Sequence, residues 1–161
     1  MVHNRHDAAV TKGCAMRFDA IRPGPQLSES DIDRYCDTHG LTIPPSLRQQ
    51  LLDQNGGGLR GYYRVPIPGE VERYEDLSYL LGINMGDNAV EIAWNVSTLD
   101  GRIPFGMLPF AEDAGGNLYL VEVESSDEWV WFWDHEREGD ASALTYVASS
   151  VAEFMSSLAL D

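Results

Sequence analysis

The chain is poor in the residues that cross-link a protein or anchor it in a bilayer. Cysteine occurs twice, as Cys14 and Cys36, at a spacing that fits neither metal ligation nor a redox pair. Cys36 falls on the apolar face of an expected helix, where a thiol packs as a small hydrophobe. No apolar run approaches the ~18–20 residues needed to cross a bilayer. The first twenty residues, MVHNRHDAAVTKGCAMRFDA, lack the continuous apolar core of a secretory signal. A cytoplasmic protein without a membrane role is expected, and with it no Cys14–Cys36 disulfide.

Basic residues are scarce too. Lys and Arg number 11 against 26 Asp and Glu, for a net charge of −15. From Glu112 onward, twelve acidic residues face Arg137 alone. Such a surface repels phosphate backbones, which argues against direct nucleic-acid binding. It attracts a basic partner and speeds the encounter. Solubility alone is an equally good reason for the acidity.

What is present suits one domain of 161 residues, with enough apolar side chains for a core. Residues 1–24 show no periodicity, and RPGP at 22–25 interrupts regular structure. They read as a weakly ordered extension, with a short strand around 16–21, ahead of a domain over 25–161. The first helix starts at Ser28, with Asp31 at its third position and Leu27 and Ile32 placed as a hydrophobic staple. Ile32, Tyr35 and Cys36 share its apolar face, and Gly40 can close it. A second helix opens at Pro45, carries Leu47, Leu51 and Leu52, and is expected to end in NGGG at 55–58. No strand precedes those glycines and no Lys-Ser or Lys-Thr follows, so they do not read as a phosphate loop.

Shorter segments follow. GYYRVPI reads as a strand, with Pro66 placing its end near a sheet edge. YEDLSYLLGI fits a helix or a strand. DNAVEIAWNVSTL fits a helix capped by Asp87, with Val90, Ala93, Trp94 and Leu99 inward. GMLPFAED, NLYLVEVE and DEWVWFWD form an antiparallel meander with tight turns. In its middle strand Leu118, Leu120, Glu122 and Glu124 share one face, and Tyr119, Val121 and Val123 the other. A last helix starts at Ser150, with Glu153 completing a capping box and Val151, Phe154, Met155 and Leu158 facing inward. Helices first, an antiparallel sheet in the middle and a helix last make an α+β domain.

Four blocks carry a family resemblance. IPPSLRQQLLDQNGG resembles the helix-then-NGG segment of the SMI1/KNR4 family, the SUKH superfamily. RIPFGMLPFAEDAGGNLYLVEVE resembles its strand, acidic residue, GGN turn and following strand. EWVWFWDHE is similar to its aromatic strand, and YVASSVAEFMSSL to its closing helix. The similarity runs over 27–158. Val151 stands where the family often has an aromatic residue, and the first glycine turn has three glycines rather than two. The resemblance implies an α+β fold that acts by binding proteins, without a family-wide catalytic activity or cofactor. Many bacterial members look like immunity proteins that neutralise a secreted toxin, and fungal members like scaffolds in cell-wall and signalling pathways.

The motif VWFWDHE raises both a chemical and a packing reading. No G-x-S-x-G elbow accompanies His135, and neither thiol is an evident partner for it. Asp113, Asp134, His135 and Glu136 could be metal ligands, but neighbours on a strand point to opposite faces. Paired carboxylates for sugar hydrolysis are unspecific in so acidic a chain. Trp129, Trp131, Trp133 and His135 share one strand face, and Val130, Phe132 and Asp134 the other. All the rings could be core; an interface would expose Trp129 or Trp133, at the strand ends. EDAGGN at 112–117 reads first as a hairpin turn, and second as a device presenting Glu112 and Asp113 beside WDHE.

The expected protein is therefore non-enzymatic, with no metal or cofactor. It binds a basic protein, such as a nuclease toxin, through Glu112, Asp113, Glu122, Glu124, Asp127, Glu128, Trp129 and Trp133. A housekeeping scaffold and a small hydrolase are the alternatives, and oligomeric state is open.

Overall fold

Local signals set the first helix. In the computed structural model, which describes residues 18–160, α1 spans Glu29–His39. Asp31 N donates to Ser28 Oγ at 3.2 Å, and Ser28 N donates to the Asp31 carboxylate at 2.8 Å. This reciprocal cap satisfies two amides at the helix start and lowers the Asp31 pKa. Leu27 and Ile32 are both buried, and Gly40 closes the helix in the left-handed region at φ 64°. Helix α2, Pro45–Asp53, buries Leu47 and Leu51 but has no side-chain cap of its own.

The end of α2 differs from the expectation. Gln54 closes it in an extended conformation, and Gly57 and Gly58 already belong to strand β2, Gly57–Pro66. Asn55 is buried rather than a terminator. Its Nδ2 donates to Pro25 O at 3.0 Å and Ile83 O at 2.7 Å, while Ile83 N donates to its Oδ1 at 2.9 Å. A buried amide so placed must find partners at both ends, and it finds them in two other segments. A Cβ at Gly82 would stand 2.6 Å from Asn55 Oδ1, so only glycine lets that segment approach.

One antiparallel sheet runs in meander order. It comprises β1 (Ala20–Ile21), β2, β3 (Tyr74–Leu80), β4 (Met107–Glu112), β5 (Leu118–Glu122), β6 (Val130–Trp133) and β7 (Leu144–Ala148). YEDLSYL is thus a strand, and β7 adds a fourth strand to the meander read from the sequence. Strand β8, Ala159–Leu160, pairs with β2 at Tyr63 and Arg64, while β1 pairs with it at Gly58 and Leu59. Two short strands thereby cover one sheet edge. The strand at Ala20–Ile21 falls within the span 16–21 where a short strand was expected, and Phe18 packs edge-on against Tyr63 with centroids 5.2 Å apart. The rest of the expected extension, 1–17, lies outside the described residues.

The helix expected from Asp87 is split. Asp87 caps a 3₁₀ turn, Asn88–Val90, and α3 begins after it at Ile92–Thr98. Glu91 interrupts because its carboxylate is engaged elsewhere, accepting from Asn84 N, Met85 N and the Tyr35 hydroxyl at 2.7–2.8 Å. Val90 and Leu99 are buried as expected, with Ile92 and Asn95, but Trp94 points outward and is 44% exposed. Helix α4, Val151–Ser157, starts at the expected Ser150 cap and buries Val151, Phe154 and Met155.

Both faces of the sheet are partly covered. The main core joins Leu108, Phe110, Tyr119, Val121, Val130 and Phe132 to α1, α2 and α4. On the opposite face Leu118, Leu120 and Trp133 form a smaller cluster with Leu99 and Ala143. This is the two-sided alternation expected for β5 and β6.

Candidate functional site

The eight acidic and aromatic residues singled out from the sequence fall at two ends of the sheet. Glu112 pairs with Leu118 at the start of β5, whereas Glu122 closes that strand. Four residue steps along β5 separate the ends by roughly 13 Å. Glu112, Asp113 and Trp133 belong to the first end; Glu122, Glu124, Asp127, Glu128 and Trp129 belong to the second.

At the first end the turn after β4 is locked. The Asp113 carboxylate accepts from Gly115 N, Asn117 N and Asn117 Nδ2, each at 2.8 Å. Asn117 Oδ1 accepts from His135 N at 3.1 Å and lies 2.7 Å from His135 Nδ1. Because the Asn117 amide nitrogen is directed to Asp113, its oxygen faces the ring, and Nδ1 carries the proton. EDAGGN and WDHE are therefore neighbours, joined by Asn117. Asp134 caps a 3₁₀ turn, His135–Arg137, so the polar end of the aromatic strand is a turn. Among the described residues no hydroxyl, thiol or carboxylate is hydrogen-bonded to the His135 ring, and no group of three His, Cys, Asp or Glu is placed to hold a metal ion. Glu112 is half-buried, and burial raises its pKa, with the Asp113 charge adding to the effect.

Trp133 offers no surface at this end, being 2% exposed. The connection after α3 brings Leu99 and Ile103 over it, and Ala143 closes from the other side. Arg102 Nη2 meets Glu138 Oε2 at 3.0 Å, tying the two covering segments together. The strand-end expectation therefore fails at Trp133: the tertiary connections, not its place in the strand, set its exposure.

The second end is open. Trp129 is 41% exposed, and Trp131 and Tyr146 are half-buried beside it. Trp131 stands opposite Tyr146 in the β6–β7 register and opposite Leu120 in the β5–β6 register. Glu122, two residues along from Leu120, accepts from Trp131 Nε1 at 2.9 Å. Glu124 and Asp127 are exposed in the same hairpin. Glu128 differs: it turns to the other face and accepts from Ser46 N at 2.9 Å, supplying the acceptor that α2 lacks at its start. Next to Glu124 a groove of about 540 Å³ is lined by Leu41, Val96, Ile103, Met107 and Val123, with Phe105 on its rim 94% exposed. Trp131, Tyr146 and Phe105 are the residues that sequence reasoning missed. Period-2 alternation already places Trp131 with Trp129; Tyr146 needed β7 to be recognised, and Phe105 carries no sequence signal.

Among the described residues no helix is long and apolar enough to cross a membrane. The chain is similar to a curated protein, the SPbeta prophage-derived uncharacterized protein YokK of Bacillus subtilis (strain 168), at 28% identity over 93 residues. The match takes in 58% of this chain and 46% of YokK, so the chain spans under half the length of that relative. The profile of the SMI1 / KNR4 family (SUKH-1) matches residues 26–157, from just before α1 to the end of α4. That family is associated with protein–protein interaction and is generally non-enzymatic. With the α+β fold, the meander sheet and this match over most of its length, the chain belongs to the SMI1/KNR4 (SUKH-1) family.

Proposed function

We propose that this protein is a non-enzymatic, cytoplasmic immunity protein that neutralises a cognate bacterial toxin by binding it. The observation that carries the reading is the β5–β6 hairpin. Glu122, Glu124 and Asp127 have no ion-pair partner among the described residues, and they share the hairpin region with the exposed Trp129, whereas Glu128 is engaged by Ser46 on the other face. Unpaired carboxylates beside an aromatic anchor suit capture of a basic protein surface, such as the one a nuclease uses for phosphates. Family membership supports the same reading.

Co-purification from the organism that encodes the chain, followed by growth assays with the captured protein, tests it. A stable complex with a toxin domain and restored growth on co-expression are expected. Recovery of cell-wall or signalling proteins alone would replace this reading with that of a scaffold.

A further inference from the structure

We infer that the open end of the second sheet face docks an arginine-bearing segment of a basic partner protein. This rests on the protein-binding reading above and gives it a place and a chemistry. The surface is the ring cluster of Trp129, Trp131 and Tyr146, touched by Glu122, with the exposed Glu124 and Asp127 in the hairpin that joins the strands of Glu122 and Trp131.

The ring geometry defines how it can bind. Trp129 and Trp131 have centroids 6.3 Å apart, and each meets Tyr146 near edge-on, at 5.6 and 5.7 Å. At these separations the rings touch one another, so a ligand reaches the outer side of the cluster and not a space between them. The hydrogen bond from Trp131 to Glu122 fixes the middle ring before anything arrives, which lowers the entropy cost of docking. The segments tied by Arg102 and Glu138 pack with Trp133, while Trp129 stays 41% exposed at the other end of the strand.

Charge defines the partner. Arg34, Arg48, Arg60, Arg73, Arg102 and Arg137 each pair with carboxylates in other parts of the molecule. Among the described residues no ion pair joins a cation to Glu122, Glu124 or Asp127. A second copy of this chain is a poor occupant, because at a net charge of −15 it brings the same acidic surface. A cation that also lies flat on an aromatic ring meets both demands. Guanidinium does so: it is planar, weakly hydrated, stacks on tryptophan and forks onto a carboxylate. The ammonium of lysine is compact and strongly hydrated, and meets only the charge demand.

The test is an NMR titration of the full chain at low salt with tetra-arginine and tetra-lysine peptides, read at the tryptophan indole N–H signals. The Trp129 and Trp131 signals are expected to shift, and those of buried Trp133 and of Trp94 to stay. Trp94 is the control, because it is equally exposed but lies on α3. Tetra-arginine is expected to bind about fivefold or more tighter than tetra-lysine. Trp129→Ala is expected to weaken tetra-arginine binding by about tenfold. Glu124→Gln with Asp127→Asn, both exposed and outside the core, is expected to weaken both peptides. Equal shifts at Trp94 and Trp129, equal affinity for the two peptides, or unchanged binding to folded Trp129→Ala protein would overturn the inference. The toxin reading fails separately: a wild-type chain that protects no cell overturns it and leaves the titration standing. A Trp129→Ala chain that binds its toxin undiminished overturns the docking surface alone.

Discussion

Asn55 joins three segments with one side chain. Its amide serves Pro25 O, Ile83 O and Ile83 N inside the molecule. Asn55→Ala would leave those backbone groups without partners in a buried place, and a loss of about 3 kcal/mol is expected from urea unfolding. Glu112 makes a prediction of the opposite sign. Burial raises its pKa, so the fold favours the protonated carboxyl. Its contribution is fully present below the ordinary glutamate pKa and is lost as pH rises through the raised value. Glu112→Gln, which stays neutral, should raise the melting temperature at about pH 7 and change it little at about pH 3.5. An equal gain at both pH values would mean that packing, not charge, is responsible.

Among the elements, α4 packs Val151, Phe154 and Met155 into the main core. Phe154 is fully buried, with its ring 5.3 Å from that of Phe110 and 5.0 Å from that of Tyr119. Those partners lie on β4 and β5, so one helical residue holds two central strands under the helix layer. Phe154→Ala is expected to cost about 3–5 kcal/mol in guanidinium unfolding. Val151 N donates to Ser46 Oγ at 2.9 Å, and Ser46 N donates to Glu128. Helices α2 and α4 and the β5–β6 hairpin therefore meet at Ser46. Glu128 thus serves the fold, while Glu124 and Asp127 in the same hairpin stay exposed.

For the whole molecule, charge sets how a partner arrives. Ion pairs occupy many of the arginines, and the carboxylates in excess leave a net charge of −15. Association with a basic partner should therefore be fast at low salt. Stopped-flow measurement is expected to show the association rate falling on the order of tenfold between low and high ionic strength, with a smaller change in dissociation. A tight complex whose association rate ignores salt would remove the electrostatic part of the proposal.

The sequence by itself determined the elements whose signals are local. The Ser28 cap, the Gly40 stop, the Ser150 cap and the period-2 alternation of β5 and β6 each depend on residues a few positions apart, and each is found where it was read. Only the tertiary structure decided what depends on distant residues. Gly57 and Gly58 joined a strand because β3 and β1 pair with them. Trp94 turned outward because Glu91 is held by Tyr35 and the 84–85 amides, which delays the start of α3. The alternation of β6 put Trp129, Trp131 and Trp133 on one face, but it could not say which would stay open. Leu99, Ile103 and Ala143 settled that by covering Trp133 and leaving Trp129 exposed. Exposure is a property of what packs on a residue, and those covering residues lie tens of positions away or across a turn from it.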